Sequence, residues 1–174
     1  MLAASELMRC GVVLCSRCTG RLNLHSAYRR HCRDETAKRH YGWVAQGNCI
    51  ACKSYPAILP DFIMPHKHYM TEVIEAVISE SESGRIIERF DGCAADVSTM
   101  RRWIRQFKTR GAAAVGWLLS ALFELYNRHL NAIKLQNKKL LELLTRLLRE
   151  FPIPGGSLFG RVNIILTTRN CGFL

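Results

Sequence analysis

The chain has 174 residues, of which 25 are Lys or Arg and 14 are Asp or Glu, a net charge of +11. That length holds one domain or two small ones, and the charge favours an anionic partner, nucleic acid first, although a soluble basic protein would carry the same balance. Its longest charge-free apolar stretch, Gly111 to Phe123, is too short to span a bilayer, and Met1 to Val13 lacks the basic start and long apolar run of a signal peptide.

In chain order, Gly11 to Leu14 is apolar and suits a short strand leading into Cys15-Ser-Arg-Cys18. A second pair, Cys49-Ile-Ala-Cys52, follows after thirty residues. Two Cys-x-x-Cys pairs supply four thiolates, the full tetrahedral shell of a structural Zn²⁺ site, so Cys15, Cys18, Cys49 and Cys52 are the expected ligands. The spacer exceeds the usual interval of about 15–20 residues, which a zinc ribbon tolerates if the spacer is a β-hairpin. Free thiols, disulfides and a redox pair are the rival readings. A thioredoxin-like redox site wants a βαβ context that is not visible here. Thiolates held by zinc fit a reducing cytoplasm. Cys10, Cys32, Cys93 and Cys171 show no ligand spacing and read as small apolar fillers. Gly20 suits the sharp turn after Cys18.

Leu22 and Leu24 alternate with polar neighbours, as in a half-buried strand. Arg21, His25, Arg29, Arg30, His31 and Arg33 run through the same stretch, either tracking phosphate or forming a solvated face. Arg29 and Arg30 are the candidate phosphate contacts. Asp34 to Lys38 reads as the hairpin turn and His40 to Val44 as the return strand. Pro56, Pro60 and Pro65 exclude a helix and predict an extended connector.

From Thr71 the apolar period becomes helical. Thr71 can cap, Val73, Ile74, Val77 and Ile78 form one stripe, and Ser79 to Gly84 ends the helix. A short second helix over Arg85–Phe90 would turn Ile86, Ile87 and Phe90 inward. Ser98 can cap a helix from Thr99 to about Lys108. There Met100, Trp103, Ile104 and Phe107 share one face, and Thr99, Arg101, Arg102, Arg105 and Gln106 the other. An apolar inner face and an arginine-rich outer face suit a helix that reads duplex DNA in the major groove. An ordinary amphipathic helix with a solvated basic face has the same pattern. Asp91 to Val97 is longer than the turn of a compact helix-turn-helix.

Taken together, the two Cys-x-x-Cys pairs, Leu59-Pro-Asp-Phe62, Pro65-His-Lys-His-Tyr69 and Ser98-Thr-Met-Arg-Arg-Trp103 resemble an uncharacterised bacterial mobile-element family. That family has a transposase-type zinc ribbon followed by a helix-turn-helix. The resemblance covers roughly residues 10–110. It implies zinc on the four cysteines, DNA contact from the helix at Thr99, and an association with a transposase or recombinase.

Gly111 to Phe151 is leucine-rich and predicts two helices broken near Leu135–Lys139, with Pro152 to Gly156 stopping the second. Ser157 can cap a last helix with Leu158, Phe159, Val162, Ile165 and Leu166 inward, ending near Gly172. These stripes either complete the core or form a homodimer surface.

The expected class is α+β. A zinc ribbon with its connector occupies residues 1–65, a helix-turn-helix-like region 66–110, and a helical region 111–174. No constellation for two-metal phosphoryl transfer, no Gly-rich phosphate loop and no His-Glu-x-x-His is present, so a binding protein rather than an enzyme is expected. The leading expectation is a zinc-dependent DNA-binding accessory or regulator of transposition or recombination, with no membrane role. A protein–protein interaction module and the DNA-binding subunit of a split transposase are the alternatives.

Overall fold

The spacer between the two cysteine pairs folds as a β-hairpin, the first feature of an α+β architecture in which a three-stranded antiparallel sheet precedes the helices. The computed structural model describes Met8 and residues 14–126, 139–151 and 156–167. Strand β1 (Leu22–Arg33) pairs with β2 (Arg39–Cys49) from Leu22 opposite Cys49 to Arg33 opposite Arg39. The pairing therefore gathers both cysteine pairs at one end and puts the turn at the other. In that turn one Asp34 oxygen accepts from the Thr36 N–H, the Thr36 hydroxyl and the Lys38 N–H, at 2.8–3.0 Å. Its other oxygen meets His40 Nε2 at 2.6 Å. Of the two leucines expected to turn inward, only Leu22 is buried. Leu24 sits beside a register irregularity at Leu24/Ser26 and is 40% exposed.

The connector is not wholly extended coil: Ala57–Ile58 forms β3 on the free edge of β2. It then crosses the hairpin, where Phe62 and Ile63 lie against Gly42. Arg33 exchanges backbone hydrogen bonds with His68 and Met70, at 2.7 and 2.8 Å, tying the hairpin tip to the helical part.

Helix α1 (Thr71–Glu82) buries Val73, Ile74, Val77 and Ile78 as its period predicts. Thr71 is not its cap. It is the first helical residue, fully buried, and its hydroxyl donates to the Asp61 carbonyl at 2.8 Å. The expected second helix is a 3₁₀ turn, Ile87–Arg89. Ile87 is buried but Ile86 is 56% exposed, because adjacent side chains on so short a turn cannot share a side.

The largest departure from the expected pattern is α2 (Val97–Tyr126), one continuous helix of 30 residues and about 45 Å. It begins at Val97, with the Asp96 carbonyl accepting from Thr99 and Met100, so Ser98 lies within the first turn and does not cap. It does not stop at Lys108 but runs through Gly111. The expected boundary between 110 and 111 thus falls inside a helix. A glycine there costs about 1 kcal/mol relative to Ala. It is retained where α3 (Leu140–Leu148) crosses, because a Cβ on Gly111 would collide with the Leu140 side chain. Residues 83–96 separate α1 from α2, so the connection is not the short turn of a compact helix-turn-helix.

Helix α4 (Leu158–Thr167) buries Phe159 and Val162, and Ser157 Oγ accepts from the Gly160 N–H at 3.1 Å, as its expected cap. The expected strand at 11–13, the helix break at 135–138, the stop at 152–155, Gly172, Cys10, Cys171 and the side chains of Ile165 and Leu166 lie outside the described residues.

One buried cluster runs from Met64 through α1 and α2 to Val162, with Trp103, Phe107, Leu118, Leu144 and Phe159 among its members. The leucine stripes are thus buried within a single chain at Leu118, Leu122, Leu144, Leu147 and Leu148. A second, small cluster holds Met8, Leu22 and Ala45 with Cys15 and Cys49. Among the described residues no helix is long and apolar enough to cross a membrane.

Candidate functional site

Each cysteine pair is folded by the same backbone pattern. The Cys15 carbonyl accepts from the Thr19 N–H at 2.8 Å, and the Cys15 N–H donates to the Gly20 carbonyl at 2.9 Å. Likewise the Cys49 carbonyl accepts from the Lys53 N–H at 3.0 Å, and the Cys49 N–H donates to the Ser54 carbonyl at 2.9 Å. Thr19 and Lys53, one residue past each pair, both have positive φ, +56° and +57°. The sharp turn therefore falls on Thr19, not on Gly20. Gly20 is small for another reason: a Cβ there would come within 3.2 Å of the Cys18 and Cys49 sulfurs.

The two knuckles face each other across the hairpin base. Cys15 and Cys52 sulfurs are 3.6 Å apart, Cys18 and Cys49 sulfurs 3.5 Å, and all four lie within 4.8 Å. A disulfide would need about 2.05 Å, and all four thiols are free. Four sulfurs about 2.3 Å from one ion form a tetrahedron with edges of about 3.8 Å. The cluster has that size. Its protonation argues the same way. The Ser54 hydroxyl, 3.0 Å from Cys52 Sγ, leads a set of hydrogen bonds that bring the Cys52 thiol down to about 6. Cys18 feels a downward pull from the Gly20 backbone, but the Cys49, Cys52 and Cys15 sulfurs push it up to about 12. Four thiolates so close repel, and a bound cation is what lets all four ionise together. The cluster is a site that can hold a metal ion.

At the far end of the hairpin a second feature forms. A cavity of about 290 Å³ opens between His31 and Arg33 of β1, His66 to Tyr69 of the connector, and Asp96, Thr99, Arg102 and Trp103 at the start of α2. Arg33 Nε is buried there without a hydrogen-bond partner among the described residues. Lys67 is only 7% exposed and its ammonium donates to Gln106. Burial, and then the charges of Arg102 and Arg110, hold its pKa below the usual lysine range.

A family model described as a domain of unknown function, DUF6431, matches residues 15–103. The chain belongs to this family. The DUF6431 segment runs from the first cysteine of the cluster to Trp103, the buried anchor of α2. No curated protein and no solved structure matches the chain.

Within the DUF6431 segment and just beyond it, the expected DNA-contacting residues are distributed unevenly. Arg101, Arg102 and Arg105 are exposed on α2, opposite the buried Met100, Trp103 and Phe107. Arg101 is paired with Glu88 of the 3₁₀ turn. Thr99 and Arg102 line the cavity, and Gln106 is held by Lys67. Arg29 is exposed, its guanidinium 4.5 Å above the Tyr41 ring. Arg30 points to the opposite face of β1 and donates to the Met64 and Lys67 carbonyls at 3.2 and 2.9 Å. That commitment pins the connector to the hairpin.

Sequence reasoning missed Ser54, Lys67 and the hairpin's aromatic residues. Tyr41 and Trp43 recur at period two, as Arg29, His31 and Arg33 do, and that signal was available.

Proposed function

We propose that this DUF6431 protein is a zinc-dependent DNA-binding protein, an accessory or regulatory factor in transposition or recombination, that meets duplex DNA with the first turns of α2. The four-sulfur cluster supports zinc, because tetrahedral thiolate sites select Zn²⁺ or iron–sulfur chemistry and opposed knuckles suit a single ion. The ion's role is structural: it closes the base of the hairpin. The observation that carries the DNA reading is the two-sided start of α2. Trp103 and Phe107 are each 2% exposed, while Arg101, Arg102 and Arg105 face outward beside a basic cavity. Arginine on an exposed helix face pairs bidentately with guanine in the major groove. The link to mobile elements rests on the likeness of Leu59–Phe62, Pro65–Tyr69 and Ser98–Trp103 to such a family.

The test is binding to selected and random duplexes at two salt concentrations. Arg101→Ala or Arg105→Ala should reduce discrimination by roughly 1–3 kcal/mol each while leaving the fold intact. Glu88→Gln, which frees Arg101 from its exposed ion pair, should bind at least as tightly as the parent. If both arginine variants bind both duplexes like the parent, α2 does not read DNA.

A further inference from the structure

The strand pairing puts a second basic surface next to the first. Residues opposite each other in an antiparallel pair share a face. Arg29 is opposite Trp43, His31 opposite Tyr41, and Arg33 opposite Arg39. The reverse face of the hairpin is covered by the connector through Gly42 and Arg30. On the other face, beyond the buried Ala45, the described residues leave Trp43 and Tyr41 open, 56% and 57% exposed. Exposed aromatic rings interleaved with arginines are the side chains enriched at interaction surfaces. The Arg29 guanidinium already lies over the Tyr41 ring, and His31 stacks with His68 at 6.0 Å on the way to the cavity. Asp96 is the one carboxylate among the described residues lining that cavity.

Alternating flat rings and guanidinium groups, ending in a basic cavity, are what an unpaired nucleic-acid strand requires. Its bases stack on aromatic and arginine planes, and its phosphates follow the positive groove. A base-paired duplex hides its ring faces and has no use for Trp43. We infer that the Trp43–Tyr41 face of the hairpin binds a single strand of nucleic acid, with bases stacked on Trp43 and the Arg29–Tyr41 pair and a backbone phosphate in the cavity beside Arg33. Because the cavity adjoins Arg102, this strand continues from a duplex lying on α2, so the favoured ligand is a duplex with an unpaired tail. The duplex half of this statement rests on the function proposed above; the single-strand half does not.

Fluorescence anisotropy with the zinc-loaded full chain and three probes tests it: short oligo(dT), a blunt duplex, and the same duplex with a dT tail. The parent should bind oligo(dT), and the tailed duplex should bind more tightly than the blunt one. Trp43→Ala should weaken oligo(dT) binding by roughly 5- to 150-fold, the range for about 1–3 kcal/mol per stacked base. It should also abolish the gain from the tail and leave blunt-duplex affinity unchanged. Trp43→Phe should retain most of the binding, and Tyr41→Ala should repeat the loss. If oligo(dT) does not bind, or if Trp43→Ala and Tyr41→Ala bind it like the parent, the inference fails even where blunt duplex binds well. If blunt duplex does not bind but the Trp43-dependent oligo(dT) binding stands, the reading of α2 fails and the single-strand site holds.

Discussion

Removing the metal should unfold one end of the hairpin and spare the helices. Three apolar side chains, Met8, Leu22 and Ala45, share the small cluster with Cys15 and Cys49. At about 1.5–3 kcal/mol for each of Met8 and Leu22 and about 0.8 kcal/mol for the Ala45 methyl, they contribute about 7 kcal/mol at most. A structural zinc in a four-ligand site contributes about 10–16 kcal/mol in apparent free energy at neutral pH. At the knuckle end, a bound zinc would therefore outweigh apolar burial roughly 1.5- to 2-fold. The turn end is held differently, by the Arg33 exchange with His68 and Met70 and by Arg30 on the connector. Metal analysis should find about one Zn²⁺ per chain. After chelation under reducing conditions, amide-exchange protection should be lost first at Leu22–Leu24 and Gly47–Cys49, and less at Arg30–Arg33. Protection in α1 and in the first half of α2 should persist, because their cluster contains none of the four cysteines. Unchanged protection at Leu22 and Cys49 in demonstrably metal-free protein would refute the reasoning, as would simultaneous loss across both clusters.

Trp103→Ala should destabilise the helical part by roughly 3–5 kcal/mol, because the indole is buried and meets Tyr69 edge-on at 5.4 Å; chemical denaturation reads this directly, and a change below about 1 kcal/mol would contradict it. Gly20→Ala should shift the competition with a chromophoric chelator toward metal loss, since its Cβ presses on two sulfurs; a competition curve equal to the parent's would show that the knuckles can give way. Asp34 is held down to about 2, first by the hydrogen bond with His40 and then by Thr36. A carboxylate depressed from about 3.9 stabilises the fold above that pH, and the contribution is lost as pH falls toward 2. The stability gap between the parent and Asp34→Asn should therefore be constant from neutral pH to about 4 and close between 4 and 2. Metal loss in acid is common to both proteins and cancels in the difference, so a gap as wide at pH 2 as at pH 5 would show that the fold does not hold the Asp34 carboxyl down.

Features that depend on short-range spacing could be read from the residues alone. Two Cys-x-x-Cys pairs turn their own sulfurs inward whatever surrounds them, so the four-cysteine site was legible, as was the hairpin needed to join the pairs. The stripe Val73, Ile74, Val77, Ile78 and the two-sided pattern around Trp103 were legible because helical period reports burial directly. The end of α2 was not. The helix was expected to stop near Lys108, and only the passage of Leu140 over Gly111 shows why a glycine is used inside a continuous helix. Arg29 and Arg30 are neighbours of the same type, yet one lies over Tyr41 in solvent and the other holds two connector carbonyls. Strand alternation sends them to opposite faces, and tertiary packing alone decides which face the connector covers. The cavity shared by His31, Lys67 and Thr99 is likewise invisible in sequence, because its walls come from three separate elements. Local geometry is encoded within a few residues, whereas the choice of which polar side chain meets water is made by whatever else in the chain arrives beside it.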